Sequence, residues 1–242
     1  MNRLMEALTK LENLLDEDIT LNEPRKLDIF ASYMVKLLEW NEKVNLTNIV
    51  EQREFIDKHY IDSILCANSP EFLEAKTVID IGTGGGFPGI PLAILFPQKK
   101  FVLVDSLNKR LKIIREICDE LGIKNVIVVH GRAEELARKK DMREQFDLCV
   151  SRAVANLSSL SELCLPFVKV GGAFIAYKGP NIEEELVNGR TAIQKLGGEI
   201  DRIEHPEMQE GQNHNLLYVI KMTSTNKKYP RKPGEPVRNP LK

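Results

Sequence analysis

The run Val78-Ile79-Asp80-Ile81-Gly82-Thr83-Gly84-Gly85-Gly86-Phe87-Pro88-Gly89 constrains this chain more than any other feature. A short β-branched strand ends on a carboxylate, a glycine-rich turn follows, and a proline then opens a helix. Glycines let the backbone turn tightly and let a ligand approach the main chain closely. In open α/β sheets ligands sit just beyond the C-terminal strand ends, where this turn lies. The surrounding pattern agrees. Strands are expected at 77–81, 100–105, 125–130, 146–151 and 173–178, alternating with helices at 88–96, 108–121, 132–139 and 157–168. The first four strands are strongly apolar, as expected where helices cover both sheet faces. Such alternation predicts an α/β fold with a doubly wound, mostly parallel sheet and right-handed crossovers. A further helix at 182–196 precedes two late strands, 199–204 and 216–222. The polar loop 205–215 between them allows antiparallel pairing at one sheet edge.

The flanks differ from this core. Residues 1–75 read as helices only: Leu4, Met5, Leu8, Leu11, Leu14 and Leu15 repeat at helical spacing. So do Leu27, Phe30, Tyr33, Met34, Leu37 and Leu38 after the start signal Asn22-Glu23-Pro24. A third helix is expected from about 51 to 67, stopping near Ser69-Pro70. His59 and Asp62 fall on it at i and i+3, where a local hydrogen-bonded pair is expected. The last twenty residues hold Lys227, Lys228, Arg231, Lys232, Arg238 and Lys242 against the single acid Glu235, with prolines at 230, 233, 236 and 240. Proline forbids a regular helix there, leaving a solvated tail or a basic arm along phosphates. The division is therefore 1–75 helical, 76–222 sheet domain, 223–242 basic tail.

Composition narrows the class. With 242 residues, 43% of them apolar, the chain can bury a large core without a metal or disulfide staple. Its formal net charge of −1 offers no global basic field for nucleic acid. The four cysteines (Cys66, Cys118, Cys149, Cys164) form no CxxC pair and lie in apolar stretches, as reduced buried thiols do. Charges interrupt the N-terminus too early for a signal peptide, and no apolar run approaches the ~20 residues of a membrane span. A cytoplasmic protein without a metal site is expected.

The dinucleotide fingerprint GxGxxG, placed on Gly82 and Gly84, demands glycine where Phe87 stands; shifted to Gly84, it encloses Pro88. A P-loop is excluded because no GK[ST] follows. The pattern D-x-G-x-G-x-G is met by Asp80, Gly82, Gly84 and Gly86, and it resembles motif I of the class I S-adenosylmethionine-dependent methyltransferases. Asp105 ends the second strand 19 residues after Gly86, where a carboxylate can accept both ribose hydroxyls. The third strand runs into Gly131-Arg132-Ala133-Glu134, which the resemblance places beside the adenine. It also implies seven strands in the order 3-2-1-4-5-7-6, with the seventh antiparallel.

After strand 4 the chain reads Ser151-Arg152-Ala153-Val154, without the [DN]PP[YF] of amino-group methyltransferases, and no cysteine occupies a strand-end loop for the thiolate of pyrimidine C5 enzymes. An acceptor that is already nucleophilic, such as guanine N7, needs only alignment. Its O6/N7 edge takes bidentate donors, and Arg152 and Lys178 stand at strand ends that can offer them. Further motifs extend along the chain: Trp40-Asn41, Asn45-Leu46-Thr47, His59 with Asp62-Ser63, Asp105-Ser106, Lys109-Arg110, Gly131 to Glu135, Ser151 to Ala153, Lys178-Gly179 and Tyr229 to Gly234. Together with motif I they resemble the RsmG (glucose-inhibited division protein B) family. That resemblance implies a 16S rRNA (guanine-527-N7) methyltransferase acting on the 530 loop of the 30S ribosomal subunit. The implied cofactor is S-adenosyl-L-methionine, held by Asp80, Gly82, Thr83, Gly84, Gly86, Phe87, Asp105, Ser106, Ala133, Glu134 and Arg152. Arg152 and Lys178 are the expected catalytic residues. A non-catalytic rRNA-binding or assembly factor and a dinucleotide-dependent oxidoreductase are the competing readings.

Overall fold

The computed structural model describes residues 1–13, 21–152, 155–206 and 214–242. Leu14, Leu15, Ala153, Val154 and most of the loop 205–215 lie outside the described residues. The chain opens with helices α1 (Asn2–Glu12), α2 (Pro24–Asn41) and α3 (Gln52–Phe55). Helix α3 continues into a wide π-helical turn, Ile56–Ile61, and closes with a 3-10 turn, Ile64–Cys66. The expected single helix is therefore present but widened at His59. A short α4 (Pro70–Glu74) then starts at Ser69, whose hydroxyl caps the Phe72 amide.

The sheet domain follows as β1 (Thr77–Ile81), α5 (Gly89–Leu95), β2 (Lys100–Asp105), α6 (Asn108–Leu121), β3 (Val126–His130), α7 (Ala133–Leu136), β4 (Phe146–Arg152), α8 (Leu157–Cys164), β5 (Val168–Lys178), α9 (Ile182–Lys195), β6 (Gly198–Glu204) and β7 (Asn215–Lys221). Strand order is β3-β2-β1-β4-β5-β7-β6, parallel through β5, with β7 antiparallel to both neighbours. The late pair thus forms as the sequence predicts.

Alternation along each strand divides two cores. Val78, Leu103, Leu148, Ile175 and Tyr218 face the N-terminal helices with α5 and α6, whereas Ile79, Val104, Cys149, Phe174 and Val219 face the cluster of α8 and α9. Both sheet faces are dry, which explains the uniform apolarity of the strands. Two adjoining boundaries depart most from expectation. Helix α8 stops at Cys164, because Pro166 lacks an amide for the ladder and leaves a 3-10 turn, Leu165–Phe167. Strand β5 accordingly starts at Val168, and a bulge sits where it pairs with Phe146 and Leu148. At Gly172, within that irregular stretch, a Cβ would stand 2.4 Å from the Asp147 carbonyl oxygen.

The C-terminal residues pack against α7 and α8 rather than extending into solvent. Arg143 donates to the Tyr229 carbonyl at 2.9 Å and the Thr225 carbonyl at 2.7 Å. Arg231 engages the enclosed Glu162 through backbone and guanidinium, and a short α10 (Glu235–Arg238) follows. The solvated, helix-free tail read from composition is thereby corrected: Glu162, invisible to a charge count, takes up Arg231, and Pro236 falls in the first turn of α10, where proline is tolerated.

Candidate active site

At the end of β1, burial decides what Asp80 does. The side chain is fully enclosed, and its Oδ2 accepts from the Thr83 hydroxyl at 2.7 Å and the Gly89 amide at 2.9 Å. One carboxylate thus ties both ends of the glycine turn. Burial pushes its pKa up to about 6, against the pull of those two hydrogen bonds. Its Oδ1 is buried without a partner among the described residues.

Gly82, Gly84 and Gly86 all adopt positive φ, at 75°, 59° and 92°. At Gly86 a second constraint applies: a Cβ would stand 2.5 Å from the Tyr33 hydroxyl and 2.6 Å from Ile90. That hydroxyl donates to the Gly85 carbonyl at 2.9 Å, so α2 grips the turn from behind. From the front, the Gly84 amide donates to Asp105 Oδ2 at 3.0 Å, while the Leu107 amide donates to Oδ1 at 2.8 Å. Two backbone donors fix the carboxylate at the tip of β2, and each oxygen keeps a lone pair for a further donor.

A cleft of about 360 Å³ opens across the ends of β1 to β4. Gly82, Asp105, Ser106, Ala133, Glu134 and Arg152 line it together with Leu107, Arg110, Arg132, Leu163 and Val237. Six of the sequence-predicted positions are therefore brought to one wall. Thr83, Gly84, Gly86 and Phe87 do not line it: Thr83 turns inward to Asp80, Gly84 reaches it only through Asp105, and Gly86 and Phe87 face the N-terminal helices. Lys178 is not among its lining residues either. Its ammonium donates to the Ala155 carbonyl at 2.8 Å and pairs with Glu185 at 2.7 Å, tying the start of α8 to α9.

Arg152 organises a polar cluster that the sequence did not reveal. One guanidinium nitrogen donates to the Lys58 carbonyl at 2.6 Å and to Asp62 Oδ2 at 2.8 Å; the other donates to His59 Nδ1 at 2.9 Å. A guanidinium cannot accept, so His59 is protonated at Nε2, which donates to the Thr47 hydroxyl at 2.7 Å. Burial and then the Arg152 cation bring the His59 pKa down to about 3. The ring stacks on Phe87 at 4.2 Å between centroids and 4° between planes, and Arg152 lies over the same phenyl. His214 bonds the other oxygen of Asp62. Burial raises the Asp62 carboxyl, but His214 and Arg152 outweigh it and hold the group below the usual range. The expected His59–Asp62 bond is thus replaced by a shared guanidinium. Widening of the helix into a π turn accompanies this arrangement, as it often does at functional sites.

Thr47 belongs to a turn shaped by Asn41, whose Oδ1 accepts the Leu46 and Thr47 amides at 2.8 and 2.9 Å. The motif Trp40-Asn41…Asn45-Leu46-Thr47 therefore carries the cluster's far end. A buried counter-charge for Arg152 was foreseeable from its strand-end position, but no local pattern singles out Asp62 for it.

Comparison with known proteins bears on the family and the fold. The family model of GidB, rRNA small subunit methyltransferase G, matches residues 26–216. The ribosomal RNA small subunit methyltransferase G of Clostridium perfringens (strain 13 / Type A) is 51% identical over 218 residues, covering 90% of this chain and 91% of that one. Its counterpart in Alkaliphilus metalliredigens (strain QYMF) is 50% identical, covering 87% and 89%. Among solved structures, the O-methyltransferase from Bacillus cereus in complex with SAH shares the fold with a TM-score of 0.56 at 17% identity, covering 90% of this chain and 100% of that one. The sheet is thus that of the class I, Rossmann-like methyltransferases, and the chain belongs to the rRNA small subunit methyltransferase G (GidB) family.

Proposed function

We propose that this chain transfers a methyl group from S-adenosylmethionine to N7 of guanine 527 in 16S rRNA, in the 530 loop of the small ribosomal subunit. The observation that carries the cofactor assignment is Asp105, held at the cleft by the Gly84 and Leu107 amides beside the glycine turn. A carboxylate so fixed accepts the two hydroxyls of a ribose. Gly82 lets the main chain approach the cofactor, and Ala133 and Glu134 lie where the base would rest. Ser106 joins them on the cleft wall, Gly84 ties the turn to Asp105 from the front, and Asp80, Thr83, Gly86 and Phe87 hold it in shape from behind. Bound there, S-adenosylmethionine supplies an electrophilic methyl carbon.

The remaining task is orientation. Guanine N7 has a lone pair and no proton to lose, so no general base is required. His59 suits this economy: both ring nitrogens are committed, and its pKa near 3 keeps it neutral. The four cysteines are all buried, and burial pushes Cys66 and Cys118 up to about 12, which does not favour thiolate attack on a pyrimidine. Arg152, on the cleft wall with a guanidinium locked by Asp62 and His59, is the donor to the O6/N7 edge in this reading. Lys178 would act through the β4–α8 connection, which it pins to α9. Residues 1–75 and the exposed lysines of the C-terminal segment contribute rRNA contacts, and work on ribosomes places the protein in the cytoplasm. No helix among the described residues is long and apolar enough to cross a membrane.

Methyl transfer tests the proposal. Labelled S-adenosylmethionine is incubated with the protein and 30S subunits lacking the modification. The 16S rRNA is then reduced and treated with aniline, which cuts at N7-methylguanine. Label in 16S rRNA with a new cut at nucleotide 527 is expected. Label elsewhere, or none in any RNA, overturns it.

A further inference from the structure

The segment after β7 reaches the cleft itself. Its course is fixed at successive points: the Thr225 amide on Glu144 at 2.7 Å, the Tyr229 carbonyl on Arg143, Arg231 on the enclosed Glu162, and the Pro236 carbonyl on Ser159 Oγ at 2.7 Å. At Gly234, in the left-handed region with φ of 79°, the backbone amide donates to Glu134 Oε1 at 2.7 Å. Glu134 belongs to the cleft wall, and three residues further on Val237 lines the same cleft. Val237 remains 55% exposed, as does Leu107 at 51% across the polar lining that includes Asp105. Large aliphatic side chains exposed within one polar cleft are the surface that a flat heteroaromatic ring covers.

We propose that the C-terminal segment is a wall of the adenine subsite, with Val237 packing on the base and the Gly234–Glu134 hydrogen bond holding that wall in place. The inference rests on the reading that S-adenosylmethionine occupies this cleft, and it assigns to cofactor binding a stretch whose charge alone suggested an RNA arm. Glu134 then acts as a positioning residue, its Oε1 holding the strap through the Gly234 amide. The exposed lysines of the segment, Lys227, Lys228, Lys232 and Lys242, remain outside this contact, whereas Arg238 donates to the Gly234 carbonyl.

Calorimetric titration with S-adenosylhomocysteine tests the wall. Val237→Ser trims a half-exposed aliphatic group that belongs to neither core cluster, so folding is preserved; Val170→Ser, at a 51% exposed site away from the cleft, is the control. Loss of one valine's contact with the base predicts about five- to tenfold weaker binding for Val237→Ser. The control should bind as the parent does, and melting temperatures should agree. Hydrogen exchange at the Gly234 amide should slow when the ligand binds. Parent-like affinity in Val237→Ser overturns the inference while leaving the cofactor assignment standing. Failure of the parent chain to bind S-adenosylhomocysteine removes both.

Discussion

Single side chains in this site work through their partners. Asp105 is held by two amides, so Asp105→Ala removes the ribose acceptor and releases the front of the glycine turn together. Loss of charge-assisted hydrogen bonds of this kind predicts about 10- to 100-fold weaker S-adenosylhomocysteine binding, measured by calorimetry, with RNA affinity nearly unchanged. Equal losses for both ligands would contradict the assigned role. His59 gives a pH signature. Its folded pKa of about 3 lies below the ordinary 6.5, so the unfolded chain binds the extra proton between those values. The stability it confers is full above pH 6.5 and is lost as pH falls through 3. Against His59→Asn, which does not titrate, the parent's advantage should shrink by about 4 kcal/mol across that window. Urea unfolding at several pH values measures it, and a constant difference would show that His59 is charged in the native state. Asp80, Asp105 and Arg152 were legible as single positions because each lies at or one residue before the end of a recognisable strand. Their partners were not, since nothing in the spacing of Thr47, His59 and Asp62 says that all three meet at β4.

Among the elements, the glycine turn and α2 behave as one unit. Gly86→Ala drives a Cβ into the Tyr33 hydroxyl and Ile90 at a φ of 92°. A cost of about 2 kcal/mol or more is expected from strain and overpacking, with cofactor affinity falling alongside. Tyr33→Phe instead removes one buried hydrogen bond to Gly85 and should cost about 1 kcal/mol. Chemical denaturation of the pair ranks the two effects, and an unperturbed Gly86→Ala would contradict the packing described. Strands and helices of the sheet were readable because a sheet covered on both faces demands unbroken apolar runs. The end of α8 was not read, although Pro166 was there to signal it. The π turn at Ile56–Ile61 had no local sequence mark, because it arises where α3 packs beneath Phe87 and Arg152.

Across the whole molecule, the last twenty residues are bound back to α7 and α8. Arg231→Ala leaves Glu162 charged, enclosed and unpaired, and should destabilise the fold by about 3–5 kcal/mol. Replacing both, as Arg231→Met with Glu162→Gln, should recover much of that loss in thermal unfolding. A single variant as stable as the parent would mean the ion pair does not form. Composition saw six cations and four prolines there, but where the chain lands depends on buried acceptors 69 to 100 residues earlier in the sequence. The central claim is that the cleft beside Asp105 holds an adenosyl-sulfonium cofactor, and calorimetric titration of the intact chain tests it most directly. One equivalent of S-adenosylhomocysteine should bind, NAD should not, and Asp105→Ala should lose most of the affinity. Binding of NAD in place of S-adenosylhomocysteine, or of neither, contradicts the account.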